Sequence, residues 1–208
     1  MYMTKRIIQT APRIGVLALQ GAFREHIEML YSLRVDAREI RTPEELDQVE
    51  GLIMPGGEST TIGKLAASYG LLDSIRSFIA AGKPVWGTCA GMIFLASEVG
   101  CDQPILKVMD ITVTRNAFGR QRDSFEQDIA ITEINRVLGE ELNALFPAIF
   151  IRAPIIEAVG TEVQILSTLP DGKIVAAKQG NLLATSFHPE LTEDSRIHRY
   201  FLTMIDPD

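Results

Sequence analysis

Cys89 stands between glycines in Gly87-Thr88-Cys89-Ala90-Gly91, and far downstream His188 and Glu190 flank a single proline. A thiol, an imidazole and a carboxylate are the parts of covalent acyl transfer: nucleophile, proton shuttle and the group that orients the shuttle. The glycine–x–cysteine–x–glycine spacing fits a sharp strand-to-helix turn that lifts the nucleophile off a sheet edge. A helix beginning near Ala90 aims its free N–H groups and positive end at the sulfur, which favours thiolate. Pro189 fixes its own φ and biases His188 to extended backbone, so residues 188 and 190 point to the same side and the Glu190 carboxylate can set the imidazole tautomer. A lone cysteine more often packs as a small hydrophobe. The flanking glycines and the later histidine–carboxylate pair turn the reading toward catalysis.

Pro55-Gly56-Gly57-Glu58-Ser59 supplies the remaining part. A glycine turn after a strand lets backbone amides approach a developing oxyanion, and the expected donors are the amides of Gly57 and Ala90. The turn lacks the spacing of a phosphate-binding P-loop, and no cysteine–histidine cluster has zinc spacing, so neither a metal nor a cofactor is expected. The other two histidines, His26 and His198, fall on helical segments and read as solvated, His26 as the one placed to meet a partner.

The elements that must position these groups alternate. Apolar runs at Ile14–Leu19, Val35–Ile40, Gly51–Met54 and Val85–Gly87 read as buried strands. Between them, Phe23, Ile27, Leu30 and Leu33 make a helical stripe, and Thr42-Pro43-Glu44-Glu45 is a helix start with proline at its first position. A helical pattern runs from about Thr61 to Ala81 and is interrupted near Gly70. Strands alternating with helices imply a mostly parallel sheet covered on both faces. The second half is richer in strands: 110–115, 123–131, 149–152, 163–166, 174–179 and 182–187, with Ile197, Tyr200, Phe201 and Met204 forming the stripe of a closing helix. The expected fold is an α/β, flavodoxin-like three-layer sandwich whose mostly parallel central sheet carries antiparallel additions. Residues 13–208 are expected to form one domain, and residues 1–12 a poorly ordered extension.

Composition narrows the function class. Of 208 residues, 46% are hydrophobic, enough for one sizeable α/β core. A net charge of −7 argues against non-specific nucleic-acid binding, and no basic run suggests a membrane surface. Nowhere do about 18 apolar residues run together. Two cysteines make no disulfide framework, and oxidising Cys89 would destroy the nucleophile, so a reduced, cytoplasmic setting is expected.

Taken together, these segments resemble class I (triad) glutamine amidotransferases, and within them the PdxT/SNO family of glutaminase subunits of pyridoxal 5′-phosphate synthase. The resemblance covers nearly the whole chain from Ile14. It is carried by Gly15-Val16-Leu17-Ala18-Leu19-Gln20-Gly21 with Arg24-Glu25-His26, by Pro55-Gly56-Gly57-Glu58-Ser59-Thr60-Thr61 and by the cysteine elbow. Arg115-Asn116-Ala117-Phe118-Gly119-Arg120-Gln121, Phe150-Ile151-Arg152-Ala153-Pro154 and Ser186-Phe187-His188-Pro189-Glu190 complete it. Ala117 replaces an expected serine. The resemblance implies hydrolysis of L-glutamine to L-glutamate and ammonia, with the ammonia passed to a separate (β/α)₈ synthase subunit. It implies Cys89 as nucleophile, His188 as proton shuttle and Glu190 as its orienter. It also implies that Gly57, Glu58, Ser59, Arg115, Ile151 and Arg152 line the substrate, and that Gln20 and the first helix, with His26, face the partner. A glutaminase of another pathway, a thiol hydrolase on the same core and a catalytically silent subunit are the competing readings.

Overall fold

The computed structural model describes residues 12–115, 117 and 124–205. The expected N-terminal extension and most of the Arg115–Gln121 motif lie outside them. Four parallel strands open the chain: β1 (Arg13–Leu17), β2 (Asp36–Ile40), β3 (Gly51–Met54) and β4 (Val85–Thr88). Helices α1 (Phe23–Ser32), α2 (Pro43–Leu46), α3 (Ser59–Ser68) and α4 (Leu71–Ala80) connect them, and α5 (Ala90–Leu95) follows the fourth strand. Next come β5 (Ala96–Glu98), β6 (Met109–Thr114), β7 (Ser124–Ala130), α6 (Thr132–Leu138), β8 (Leu145–Ile151), β9 (Ile155–Val159), β10 (Gln164–Thr168), β11 (Ile174–Gln179), β12 (Leu182–Thr185) and α7 (Arg196–Thr203).

The main sheet runs β2-β1-β3-β4-β12-β11-β9-β6-β5, with β10 paired to β11. Pairing is parallel from β2 through β12 and antiparallel where β12, β11, β9 and β6 meet. β7 and β8 form a separate two-stranded ribbon. Both faces of the sheet are buried. Leu52, Met54, Val85 and Ala184 pack under α3, α4 and α5, whereas Ile53, Trp86 and Leu183 face α1 and α7. This alternation, with apolar residues on both sides of each strand, is why the parallel strands read as unbroken apolar runs. The three-layer α/β expectation holds.

Local signals account for several boundaries. Thr42 and Glu45 exchange side-chain-to-backbone hydrogen bonds in a capping box with Pro43 at the first helical position. The long helical pattern of the sequence is two helices, because Gly70 adopts φ +71° between α3 and α4. α3 starts earlier than its periodicity suggests: the Glu58 carboxylate accepts from the amides of Thr60 and Thr61 and caps it. β9 and α6 were not read from the sequence. β9 buries two adjacent residues and then exposes two, and its pairing with β6 shifts register, so no period of two survives. α6 is seven residues long, too short for a helical period to stand out from the strand that precedes it.

Candidate active site

The strand order brings the catalytic candidates together. β4 pairs with β12 in register, Thr88 opposite Thr185, so the residues leaving the two carboxyl ends are neighbours although far apart in sequence. Cys89 donates its amide to the Thr185 carbonyl at 2.8 Å, and His188 donates its own to the Ile149 carbonyl at 2.8 Å. β1 and β3, whose carboxyl ends lead into Gln20 and the Pro55–Ser59 turn, are adjacent, and the chain reverses its winding direction between them. Open parallel sheets place ligands in the crevice at such a switch point.

The elbow is the sharp turn expected from the sequence, and the structure shows where its strain lies. The residue with the left-handed backbone is Cys89 itself, at φ +48° and ψ −102°. A non-glycine held there costs on the order of 1–3 kcal/mol and persists only where the surroundings impose it. The flanking glycines serve space instead. A Cβ on Gly91 would lie 1.9 Å from the Met54 carbonyl oxygen, and one on Gly87 would lie 2.4 Å from the Gly91 carbonyl. Gly56 is constrained likewise, since a Cβ there would stand 2.3 Å from His188 Cε1 and 3.3 Å from Cys89 Cβ.

Cys89, His188 and Glu190 form a chain of contacts. His188 Nδ1 lies 2.7 Å from Glu190 Oε1, and its ring shares the cleft wall with Cys89, near enough for the thiol to act on the imidazole's pKa. Burial by itself lowers the imidazole pKa. The hydrogen bonds to Cys89 and Glu190, with the charges of both, outweigh it and raise His188 to about 10. The imidazole is therefore an imidazolium at neutral pH, the partner a thiolate needs. Glu190 presents no side-chain surface to solvent. The Cys89 sulfur also lies 3.9 Å from the Ile151 carbonyl oxygen.

Cys89 and His188 open onto a cleft of about 310 Å³. Gly57, Glu58, Ser59, Ala90, Arg115, Ile151 and Arg152, all singled out from the sequence, line it, as does Gln20. The Gly56–Glu58 turn is tied down by the segment after β1: Ala22 donates to the Gly56 carbonyl at 3.0 Å, and the Glu58 amide donates to Gln20 Oε1 at 2.7 Å. Glu58 is half exposed, yet its carboxyl pKa falls to about 2. The Thr61 hydroxyl bond lowers it most; burial opposes it, and the remaining hydrogen bonds from Thr61 and Thr60 add to the lowering. Its Oε1 also lies 3.4 Å from Arg115 Nη2. Arg152 has φ +43°, a further strained position facing the cleft.

Sequence reasoning missed Gln103. Its Oε1 accepts from Arg115 Nη1 at 3.0 Å, Thr60 Oγ1 at 3.1 Å and Ser59 Oγ at 3.3 Å, so one amide oxygen gathers the cleft's second wall. The irregular segment between β5 and β6 that carries it has no periodic signal. His26 and His198 are corrections. Both are fully buried, so neither is solvated and His26 offers no surface to a partner. Residue 26 completes the Phe23, Ile27, Leu30 stripe at helical spacing, and that was the available signal.

Comparison with known proteins supplies the family. A model described as the SNO glutamine amidotransferase family matches residues 16–206. A pyridoxal 5′-phosphate synthase subunit PdxT of Dehalococcoides mccartyi is 55% identical over 195 residues, covering 92% of this chain and 96% of the relative. One of the same name from Herpetosiphon aurantiacus is 58% identical over 193 residues, covering 91% and 98%. A solved structure described as a glutamine amidotransferase superposes with a TM-score of 0.85 at 48% identity, over 92% of this chain and 98% of that one.

Proposed function

This chain belongs to the SNO glutamine amidotransferase family, and we propose that Cys89, His188 and Glu190 make it the glutaminase subunit of a pyridoxal 5′-phosphate synthase. The observation that carries the residue assignment is His188 hydrogen-bonded to a buried Glu190 and sharing the wall of one cleft with Cys89.

L-Glutamine enters with its side-chain amide over Cys89 and its α-carboxylate toward Arg115 and Arg152, whose guanidinium forks match a carboxylate. The thiolate attacks the amide carbon, and the amides of Gly57 and Ala90 receive the developing oxyanion. The His188 imidazolium gives its proton to the departing nitrogen, so the C–N bond breaks as ammonia leaves and a glutamyl thioester remains on Cys89. His188, now neutral, takes a proton from water as the hydroxyl attacks the thioester. The C–S bond breaks, the γ-carboxylic acid departs and ionises to glutamate in solvent, and the other proton stays on His188 beside the regenerated thiolate. Glu190 holds Nδ1 throughout, so Nε2 always faces the sulfur.

The ammonia passes to a (β/α)₈ synthase subunit that builds pyridoxal 5′-phosphate. Gln20 lies at the partner-facing rim, and its hold on the Glu58 amide couples docking to the oxyanion loop. Residues 13–208 act as one glutaminase domain. The location is cytoplasmic, where Cys89 stays reduced; no helix among the described residues is long and apolar enough to cross a membrane. The test is glutamate release from L-glutamine, with and without a pyridoxal 5′-phosphate synthase subunit, for wild type and Cys89→Ala. Release that rises with the partner and vanishes in Cys89→Ala is the expected result. Equal release by both proteins would refute the assignment.

A further inference from the structure

Behind the triad lies a second polar cluster to which the mechanism above gives no task. His26 on α1 and His198 on α7 reach inward to the Trp86 face of the sheet, and both rings pack edge-on against the indole, with centroids 5.4 and 4.9 Å away. His26 Nδ1 is 2.9 Å from His198 Nε2. On its other side, His26 Nε2 stands 3.3 Å from Thr88 Oγ1 and 3.3 Å from Glu190 Oε2. Glu190 is thus approached from both ends: His188 takes Oε1, and Oε2, which has no hydrogen bond of ordinary geometry, faces His26.

The protons on this cluster can be placed by elimination. Burial, reinforced by the neighbouring His198 and His188, pushes the His26 pKa well below its ordinary value, and burial takes His198 down to about 3. Both rings are therefore neutral despite the nearby carboxylate, and each carries one proton. In one arrangement His26 is protonated on Nδ1 and donates to His198 Nε2. His198 then carries its proton on Nδ1, a buried donor with no partner, while the bare lone pair of His26 Nε2 faces a carboxylate oxygen. In the other, His198 Nε2–H donates to His26 Nδ1, and His26 Nε2–H points at Thr88 and Glu190. The second leaves only an acceptor lone pair of His198 unmatched, and it puts a donor beside the buried carboxylate oxygen that lacks one. An orphaned buried donor has lost its hydration with nothing in return, and a lone pair held against a carboxylate is repulsive, so the second arrangement prevails.

We propose that His26 is a positioning residue for the triad: His198 and Thr88 hold it in the Nε2–H tautomer, and that N–H, 3.3 Å from Oε2, holds by its dipole the Glu190 carboxylate whose other oxygen orients His188. The proposal rests on the triad reading of Cys89, His188 and Glu190. It explains why two histidines are buried where apolar side chains would pack at less cost.

Two measurements test it. In the full chain with ¹⁵N-labelled imidazoles at neutral pH, His26 should show a protonated Nε2 and an unprotonated Nδ1. A protonated Nδ1, alone or with Nε2, overturns the proposal, and this result needs no variant to fold. Next, His26→Gln and His26→Asn are compared as glutaminases in complex with the synthase subunit. The Gln amide nitrogen mimics Nε2, the Asn nitrogen mimics Nδ1. Asn should lower kcat by about 10- to 100-fold with KM little changed, as expected of a misplaced catalytic group. Gln should recover most of that loss. Equal kcat for Gln and Asn, or a change confined to KM, overturns the proposal. Glu190→Gln in the same assay separates the two readings. A loss there without one in His26→Asn removes the His26 role alone, whereas no loss in Glu190→Gln removes the triad reading and this proposal with it.

Discussion

The two walls of the cleft are held by different physics. The reacting wall, Cys89, His188 and Glu190, hangs from the in-register β4–β12 pair, and its carboxylate shows no surface to solvent. The wall proposed for recognition, Glu58, Ser59 and Arg115 with Gln103 behind them, stands on loops and a helix start. There Arg115 and Glu58 keep roughly a third and a half of their side-chain surface exposed. Buried hydrogen-bonded charge acts in a low dielectric and is costly to disturb, whereas an exposed ion pair is screened and contributes little. On the proposed assignment, chemistry is fixed by the sheet and recognition is held by adjustable side-chain contacts.

The variants that probe this contrast fall in a clear order. Cys89→Ala or His188→Ala should remove nearly all glutaminase turnover, about 10⁶-fold in kcat by analogy with other hydrolytic triads, measured as glutamate release in the complex. Glu190→Gln keeps the shape but lets the imidazole take the wrong tautomer, and a fall of about 10⁴-fold in kcat is expected. On the opposite wall, Arg115→Ala should act on KM for L-glutamine, roughly 10- to 100-fold, the worth of a charge-assisted hydrogen bond, with kcat much less affected. Gln103→Leu removes the acceptor that orients Arg115, and a KM rise of several-fold, about that of one neutral hydrogen bond, follows. A kcat defect in Arg115→Ala as deep as that of Glu190→Gln would erase the distinction between the walls.

Stability against pH gives the smallest effect and sharpens the same contrast. His188 binds its proton more tightly folded, with a pKa of about 10, than unfolded. Above the unfolded value of about 6.5 the native state holds a proton that the unfolded chain has released, so this contribution is complete below that pH and declines as pH rises toward about 10. The Tm difference between wild type and His188→Gln should therefore shrink over that window. On the other wall, the Glu58 pKa of about 2 predicts a contribution present above the ordinary carboxylate range and lost only on strong acidification. Solvent screening keeps it small.

The meeting of Cys89, His188 and Glu190 was largely legible in the sequence because local chemistry dictates it. The elbow glycines, Pro189 between its two partners and the apolar parallel strands each leave a short-range signature. What stayed hidden depends on long-range packing. The burial of His26 and His198 follows only when α1 and α7 close over Trp86. Gln103 matters because an irregular segment meets the start of α3, contacts with no period to betray them. The glycines of the elbow were expected to permit the sharp turn, and they do so by making room for Met54 and for one another; that the positive φ sits on Cys89 itself was not legible.

The most direct test of the central claim is to treat the assembled synthase complex with a glutamine analogue bearing an electrophilic γ-carbon, then map the modified peptide by mass spectrometry. The account predicts a single adduct on Cys89, formed with loss of glutamate release and suppressed by excess L-glutamine. An adduct on another residue, or an unlabelled Cys89 in a complex that has lost its glutaminase activity, would contradict it.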